Sequence, residues 1–228
     1  MQSLIKLCAA AALTLLCATA TIEQSASAQS QPSSQTSKAD KNGFISLFDG
    51  KTLDGWRASD KPGTFTVENG AIVVHGPRSH LYYVGPIGDH NFKNFEWKAD
   101  VMTTAGSNSG MYFHTEWQET GWPAKGYEVQ VNSSHTDTIR TSSLYNIKNV
   151  TDSPSKDDEW FTQTVIVRGK NVTIKVNDKV MVEYTEPDNV ERPAEMAGRK
   201  LSSGTFALQG HDPKSKVYFK NIMVKPLP

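Results

Sequence analysis

The sequence has no excess of charge of either sign, because 24 basic and 24 acidic side chains balance to a formal net charge of zero. Proteins that bind nucleic acids usually present a basic face, so this balance argues against a nucleic-acid partner. Hydrophobic residues make up 37% of the 228 residues. That fraction is typical of a globular protein and excludes a disordered polymer.

Cysteine is nearly absent. Cys8 and Cys17 are the only two, and both lie in an apolar run over residues 7–20. If the segment that contains this run is removed, the mature chain has no cysteine. Disulfides, a thiol nucleophile and thiolate metal ligands are then all excluded.

The N-terminal apolar run has the features of an export signal. Lys6 precedes it, and Ala26-Ser27-Ala28 offers small residues at the positions that a signal peptidase reads. We predict a signal peptide over residues 1–28, cleaved before Gln29, and therefore a secreted or periplasmic protein. A retained membrane anchor is the less favoured alternative, because the run is short and rich in alanine. We expect no membrane span in the mature protein.

Helical periodicity is also scarce in the rest of the chain. Residues 29–42 are polar and predict a flexible linker, whereas strand patterns run from Gly43 to the end of a single predicted domain over 43–228. The only helix candidate spans 190–196, and Pro193 limits it. The predicted strands cover residues 44–49, 64–67, 71–75, 81–84, 92–102, 110–115, 127–132, 161–168, 172–176, 180–184, 206–209 and 216–225. A dozen short strands separated by Gly, Pro, Asn and Asp predict an all-β sandwich or barrel.

In two of these predicted strands, apolar and polar side chains alternate, so the two faces of each strand differ in polarity. Residues 95–101 alternate apolar and charged side chains, which indicates one face in the core and one in water. In residues 127–131 the same alternation puts Glu128 and Gln130 side by side on one face. That face could be solvated, or it could border a substrate groove.

Two aromatic residues favour the groove. Trp117 and Trp122 lie in the loop before the strand that carries Glu128 and Gln130. Aromatic rings stack on the C–H faces of sugars, while amides and carboxylates pair with sugar hydroxyls. This combination favours a carbohydrate ligand. The alternative is that both tryptophans only pack in the core or the loop.

A second carboxylate is missing where an ordinary glycosidase would need one. Retaining glycosidases use two carboxyl groups about 5 Å apart. The Glu-x-Asp-x-x-Glu pattern of sandwich-fold glucanases is incomplete here, because Gln130 stands in place of the Asp and Ser133 in place of the second Glu. This strand therefore argues against standard glycosidase chemistry.

The six histidines form no metal signature such as HExxH. His114 is expected to share a strand face with Glu116, and His211 lies two residues beyond Gln209 at a strand end. A divalent metal site assembled across strands remains a less favoured alternative, so we expect no cofactor.

Several motifs, in order along the chain, together resemble the 3-keto-disaccharide hydrolase family. They are FDGKTLDGW at 48–56, NSGMYF at 108–113, GYEVQ at 126–130, LQGHD at 208–212 and VYFKNI at 217–222. The resemblance extends over residues 43–228. It implies a concanavalin A-like lectin/glucanase jelly roll, in which two antiparallel sheets pack together and the concave one lines a carbohydrate groove.

The resemblance also implies a function. The family acts on glycosides whose sugar carries a ketone at C3, typically in the periplasm or outside the cell, and a separate nicotinamide-dependent sugar 3-oxidoreductase would supply that ketone. His114 falls where many relatives have Arg, so substrate choice is expected to differ there. The competing interpretation is a non-catalytic carbohydrate-binding module on the same fold.

A C3 ketone changes the chemistry that the site must supply. It acidifies the hydrogen on C2, so a base can remove that proton and the C1 oxygen can leave by elimination, after which water adds. We predict that Glu128 and His211 form the acid/base pair, with either assignment open. The residues predicted to hold the substrate or its enolate are Gln130, His114, Trp117, Trp122 and Gln209.

Overall fold

The computed structural model describes residues 38–228. The predicted signal peptide over 1–28 and most of the predicted linker over 29–42 lie outside these residues. The described part forms strands β1 (Ile45–Ser46), β2 (Trp56–Ala58), β3 (Phe65–Glu68), β4 (Ala71–His75), β5 (Ser79–Tyr83), β6 (Phe95–Thr103), β7 (Ser109–Thr115), β8 (Tyr127–Val131), β9 (Phe161–Arg168), β10 (Asn171–Val176), β11 (Lys179–Thr185), β12 (Thr205–Gly210) and β13 (Lys216–Pro226).

The strands form two antiparallel sheets. The larger has the order β11-β10-β9-β6-β13-β4-β3, with β1 paired to β13, and the smaller has the order β2-β5-β12-β7-β8. Hairpin pairs such as β7-β8 alternate with pairs from distant parts of the chain, such as β6-β13 and β5-β12, as in a jelly roll. The predicted all-β jelly-roll sandwich is therefore confirmed.

Turn chemistry explains why the hairpins form where they do. Asn69 and Gly70 both have positive φ between β3 and β4, as do Asn177 and Asp178 between β10 and β11. Two-residue hairpin turns of this type require positive φ at both positions, which Asn, Asp and Gly tolerate best. Each pair lies between two segments that the sequence predicts as strands.

The structure differs from the sequence predictions in two short segments. Trp56–Ala58 forms β2 at one edge of the smaller sheet, although no strand was predicted there. The helix candidate over 190–196 contracts to a 3₁₀ turn at Ala194–Met196 that follows Pro193. No helix in residues 38–228 is long and apolar enough to cross a membrane.

The hydrophobic core lies between the two sheets. Trp97 from β6 of the larger sheet stacks on Phe206 from β12 of the smaller one, with ring centroids 4.3 Å apart. Phe92 stacks on the same Phe206 ring at 4.6 Å. Burying one such phenylalanine stabilises the fold by about 1.5–3 kcal/mol. Because side chains alternate along each strand, the smaller sheet turns a second set of side chains away from this core.

Candidate active site

The outward face of the smaller sheet carries polar side chains that are nevertheless buried. Along β8, Tyr127, Val129 and Val131 point into the core, so Glu128 and Gln130 point outward. The same face includes Tyr112 on β7, Gln209 on β12 and His80 on β5, and all of these side chains are at most 5% exposed. Surrounding side chains and loops therefore shield much of this face from solvent.

This face of the smaller sheet carries a pocket of about 360 Å³, which is large enough for a sugar ring. Strands, the loop after β8 and the segment before β12 all contribute side chains to it. Its lining residues are Asn108, Tyr112, Trp122, Glu128, Gln130, Asp137, Tyr145, Glu195, Arg199, Gln209 and His211.

Glu128 is fixed by hydrogen bonds to both carboxyl oxygens. The Tyr112 hydroxyl donates to Oε2 at 2.6 Å, and Gln209 Nε2 donates to Oε1 at 2.7 Å. Gln209 Nε2 also donates to the Tyr112 hydroxyl at 3.0 Å. Side chains from three neighbouring strands thus hold one carboxyl group in a single orientation.

Burial dominates the electrostatics of this carboxyl group. It raises the pKa of Glu128, and the hydrogen bond from Tyr112, the charge of Arg199 and the hydrogen bond from Gln209 offset the increase only in part. Arg199 NH2 lies 3.8 Å from Oε2. A carboxylate with a raised pKa is a stronger base than an exposed one.

Tyr112 is held as a neutral phenol. Burial and the neighbouring Glu128 charge raise the pKa of Tyr112 well above its ordinary value. Arg199 also lies over the Tyr112 ring, with its guanidinium carbon 5.2 Å from the centroid. Tyr112 therefore keeps its proton and donates it in the hydrogen bond to the Glu128 carboxylate.

Another part of the pocket combines an aromatic ring with histidines. The Trp122 and His211 ring centroids are 5.6 Å apart, and the His135 ring lies 5.6 Å from His211. Asp212 Oδ2 accepts a hydrogen bond from His211 Nδ1 at 2.8 Å. Trp122 is 43% exposed, so its ring remains accessible to a ligand.

The loop after β8 shapes the pocket through a central arginine. Arg140 NH1 donates to the Asn132 side-chain oxygen and to the backbone oxygens of His135 and Asp137, at 2.7–3.0 Å. These bonds curl the loop so that Asp137 faces the pocket. Backbone hydrogen bonds also hold the loop, since the N–H of Thr141 donates to the carbonyl of Asn132 at 3.0 Å. The sequence pattern shows no helix or strand here.

Several buried polar atoms at the pocket have no hydrogen-bond partner among the described residues. They are Gln130 Oε1, Gln209 Oε1 and Asn108 Oδ1. Buried polar atoms are normally paired, and unpaired acceptors beside a pocket are available to the hydroxyls of a bound sugar.

His80 borders this set of residues from β5. It is fully buried, and neither ring nitrogen has a partner among residues 38–228. Its ring stands edge-on to Tyr112 at 5.4 Å and to Trp122 at 5.5 Å. Burial lowers the pKa of His80 to about 3, so the ring is neutral at physiological pH.

Five of the seven residues that the sequence predicts for the site line the pocket. They are Glu128, Gln130, Gln209, His211 and Trp122. Their positions follow from the alternation along β8 and β12 and from the loop between β7 and β8.

His114 lies elsewhere because the strand bulges at that position. Phe113 pairs with Phe206 and Thr115 with Thr205, so His114 is the extra residue, with φ of 55°. The bulge turns its side chain out of the alternation that the sequence implies. His114 Nε2 donates to the Lys93 carbonyl at 2.9 Å and Nδ1 accepts from Ser202 N–H at 3.2 Å.

These backbone contacts engage both His114 nitrogens. Burial also lowers the pKa of His114 to about 4, so the ring remains neutral. His114, predicted to hold the sugar or the enolate, is therefore not among the residues that line the pocket.

Trp117 lies on a second groove rather than in the pocket. The Arg57 guanidinium stacks over the Trp117 ring, 3.4 Å from its centroid. This groove has a volume of about 580 Å³, and Glu116, Lys125, Asp89 and other residues complete it. The sequence places both tryptophans in one loop but does not show that the loop divides them between two surfaces.

Sequence reasoning assigned no role to several lining residues. Tyr112 belongs to the NSGMYF motif, and its place opposite Glu128 in the β7–β8 register is what reveals its role. Asp137, Tyr145 and Arg199 come from loops and Glu195 from the 3₁₀ turn, and no periodic pattern predicts where such side chains point.

The fold and the site together define a lectin-like jelly-roll sandwich with a polar pocket on its smaller sheet. Within this class, the chain belongs to the family described as 3-keto-alpha-glucoside-1,2-lyase-like domains, whose model matches residues 43–225. The family resemblance in the sequence is thereby confirmed.

One named relative is similar to the chain in sequence, and several solved structures are similar to it in fold. A 3-keto-disaccharide hydrolase from Bacteroides thetaiotaomicron is 30% identical over 173 residues, which cover 64% of this chain and 59% of the relative. The chain thus matches less than two thirds of that protein's length.

Solved structures agree on the fold. A protein from Parabacteroides distasonis, provisionally described as a glycosyl hydrolase, superposes with a TM-score of 0.68 at 24% identity, covering 82% of this chain and 95% of that one. The carbohydrate-binding module CBM66 from Bacillus subtilis superposes with a TM-score of 0.55 at 13% identity, covering 75% and 95%. At these identities the likeness concerns the fold alone.

Proposed function

We propose that this chain is an exported enzyme that cleaves 3-keto-glycosides by elimination followed by addition of water. The family and the Bacteroides relative, a 3-keto-disaccharide hydrolase, support the substrate class. The observation that carries the proposal is the Glu128 carboxyl group, which is buried in a sugar-sized pocket and has a raised pKa.

The reaction balances as follows. A base removes the proton on C2, and the electron pair of that C–H bond is delocalised onto the C3 oxygen as an enolate. The enolate then expels the C1 oxygen with its aglycone, which takes up a proton, and a double bond forms between C1 and C2. Water adds to C1 while C2 regains a proton, so the net reaction is hydrolysis.

Glu128 is the base in this scheme. Its carboxylate is accessible from the pocket, and burial makes it more basic. Tyr112 and Gln209 hold both of its oxygens, which keeps the carboxylate in one orientation without a second acidic group. His211 lines the same pocket and assists departure of the C1 oxygen. Gln130 and Trp122 bind the sugar.

Two further functions deserve a test. Asp137 and Glu195 also line the pocket, so either could pair with Glu128 in ordinary glycosidase chemistry. The Asp137 carboxylate accepts the Ile139 N–H at 2.9 Å within its own loop, which ties it to the backbone. The likeness of the fold to a carbohydrate-binding module supports the other alternative, a non-catalytic binder.

The deciding experiment compares matched substrates. The purified protein is incubated with a glucoside and with its 3-keto counterpart, and sugar release and deuterium uptake from heavy water are followed. We expect release from the keto substrate only, with deuterium at C2. Cleavage of both substrates would favour a glycosidase, and binding without cleavage would favour a carbohydrate-binding module.

Site variants test the assigned roles. Positioned acid/base groups contribute about 10²–10⁴-fold to rate, so Glu128→Gln should lower turnover by that order. His211→Ala should also lower it, while circular dichroism remains that of the folded wild type. Full activity in both variants would contradict the assignment.

The cellular context is part of the same proposal. We propose that the signal over residues 1–28 exports the protein to the periplasm or the medium, where a separate 3-oxidoreductase supplies the keto substrate. Mass analysis of the exported protein should give an N-terminus near Gln29. Intact Met1 in the membrane fraction would contradict export.

A further inference from the structure

We propose that His135, His211 and Asp212 bind a divalent transition-metal ion at the edge of the pocket. One donor atom from each of these residues lies within 4.8 Å of the others. They come from two segments, since His135 is in the loop after β8 and His211 and Asp212 directly follow β12. The fold therefore brings together two imidazoles and one carboxylate, a ligand set common to catalytic metal sites.

The spacing of two donors suits a shared ion. Two ligands at right angles, each about 2.1 Å from a metal, are about 3.0 Å apart. His211 Nδ1 and Asp212 Oδ2 are 2.8 Å apart, close to that separation. The two donors therefore need little movement to become adjacent ligands, with the ion in place of the proton between them.

The carboxylate is already oriented by its own loop. The backbone N–H of Lys214 donates to Asp212 Oδ1 at 2.8 Å, and the Ser215 hydroxyl donates to Oδ2 at 2.7 Å. Ligating carboxylates are typically held by such outer hydrogen bonds. The bonds fix Asp212 whether or not an ion is bound, so the site is largely preformed.

His135 keeps one ring nitrogen unprotonated. The backbone N–H of Asp137 donates to Nδ1 at 3.0 Å, so Nδ1 carries the lone pair and Nε2 the proton in the neutral ring. Nδ1 is therefore the nitrogen that can ligate directly, with the ion taking the place of this hydrogen bond.

Asn108 supplies an independent observation. Its side chain lines the pocket and is only 2% exposed, and Oδ1 has no hydrogen-bond partner among the described residues. Its Nδ2 lies 3.4 Å from His135 Nδ1, next to the three donors. A buried, unpaired amide oxygen at this place can accept a hydrogen bond from water on the ion or bind the ion itself.

The donor types indicate the class of ion. Two imidazoles favour Zn²⁺, Mn²⁺ and similar first-row ions over Ca²⁺ and Mg²⁺, which prefer oxygen ligands. Three protein ligands also leave coordination positions for a substrate oxygen. His211 lines the pocket that contains Glu128, so these positions are accessible from the substrate side.

The role of the ion rests on the proposed function, whereas its binding does not. An ion here would accept the C3 oxygen as a ligand and offset the negative charge that develops when Glu128 removes the C2 proton. His211 would then assist the reaction as a ligand, and the proton for the leaving oxygen would come from water. Electrostatic stabilisation of this kind is often the largest contribution to rate.

The test measures binding without any sugar. Protein without a purification tag is stripped with a chelator, and Zn²⁺ and Mn²⁺ are titrated by calorimetry. We expect one ion per chain and at least about tenfold weaker binding in His135→Ala and in Asp212→Asn. Asp212→Asn keeps an oxygen that can accept the backbone N–H groups of Lys214 and Ser215, so it should fold even if His135→Ala does not.

A histidine outside the site serves as the control. His90 has φ of 44°, which asparagine tolerates better than alanine, so the control variant is His90→Asn. Its metal affinity should equal that of the wild type. Absence of saturable binding, or equal affinity in Asp212→Asn and wild type, would overturn the inference.

Activity measured in parallel separates this inference from the proposed function. Cleavage of keto substrate by a chelated protein that binds no metal would overturn the metal site and leave the function intact. One bound ion without cleavage of any keto-glycoside would support the metal site and contradict the function.

Discussion

Gly110 lies directly against the Glu128 carboxylate: a methyl group at position 110 would come within 2.5 Å of Glu128 Oε1. The two residues are diagonal neighbours on β7 and β8, because Gly110 is opposite Gln130 and Tyr112 is opposite Glu128. Position 110 is not in the left-handed region of φ, so the space that the carboxylate occupies is the reason for glycine here.

Gly110→Ala should therefore displace Glu128 without straining the backbone. Displacement of a catalytic group by about 1 Å can cost on the order of 10² in rate, and we expect a loss of about that size. Steady-state rates on a keto-glycoside measure it. Gly63→Ala is the matched control, because a methyl group there meets no atom within 4 Å. Equal losses in both variants would contradict the role of the contact.

The raised pKa of Glu128 predicts a pH-dependent cost in stability. A carboxyl group whose folded pKa exceeds its unfolded pKa stabilises the fold below the unfolded pKa, and this contribution is lost as pH rises through the folded pKa. Tyr112, Arg199 and His211 are the titratable groups near it, and they remain in a Glu128→Gln variant.

Glu128→Gln removes the buried charge, so its melting temperature should exceed that of the wild type more at pH 8 than at pH 4. Thermal unfolding of both proteins across this range tests the sign. A difference that is constant with pH, or that grows toward low pH, would show that Glu128 is not held with a raised pKa.

Local sequence patterns predict the fold well because strands and turns are encoded locally. Alternation over residues 127–131 places Glu128 and Gln130 on one face, and the Asn69-Gly70 turn fixes a hairpin. Alternation fails at His114, where a bulge inserts one residue and reverses the side chain. The bulge is set by pairing with β12, which is distant in sequence.

Loop residues mark the limit of prediction for the site. Arg199 reaches Glu128 from the segment that follows the 3₁₀ turn at Ala194–Met196, about 70 residues along the chain. Asp137 faces the pocket because Arg140 curls its loop. Both depend on contacts between distant segments, so no local pattern in the sequence reveals them.

Tyr112 should set the pH range of activity through its hydrogen bond to Glu128. The bond favours the ionised carboxylate and therefore lowers the pKa of Glu128 against the effect of burial. In Tyr112→Phe that pKa should rise further, so the acidic limb of the kcat/KM profile should move to higher pH if Glu128 is the base.

Tyr82→Phe is the control for the loss of a hydroxyl. Tyr82 lies on the same outward face, and its hydroxyl has no hydrogen-bond partner among residues 38–228. Its pH profile should match that of the wild type. A shift to lower pH in Tyr112→Phe, or the same shift in both variants, would contradict the assignment of Glu128 as base.

The two tryptophans should differ in their effect on substrate binding. Trp122 lines the pocket near His211, whereas Trp117 stacks on Arg57 at the second groove. A stacked aromatic ring contributes about 1 kcal/mol beyond its buried area, so Trp122→Ala should weaken binding of a small keto-glucoside roughly fivefold or more. Trp117→Ala should bind the same compound normally, because its ring does not line the pocket.

Calorimetry with both variants in the inactive Glu128→Gln background measures binding without turnover. If Trp117→Ala weakens binding and Trp122→Ala does not, the sugar binds in the second groove and the assignment of the pocket is wrong.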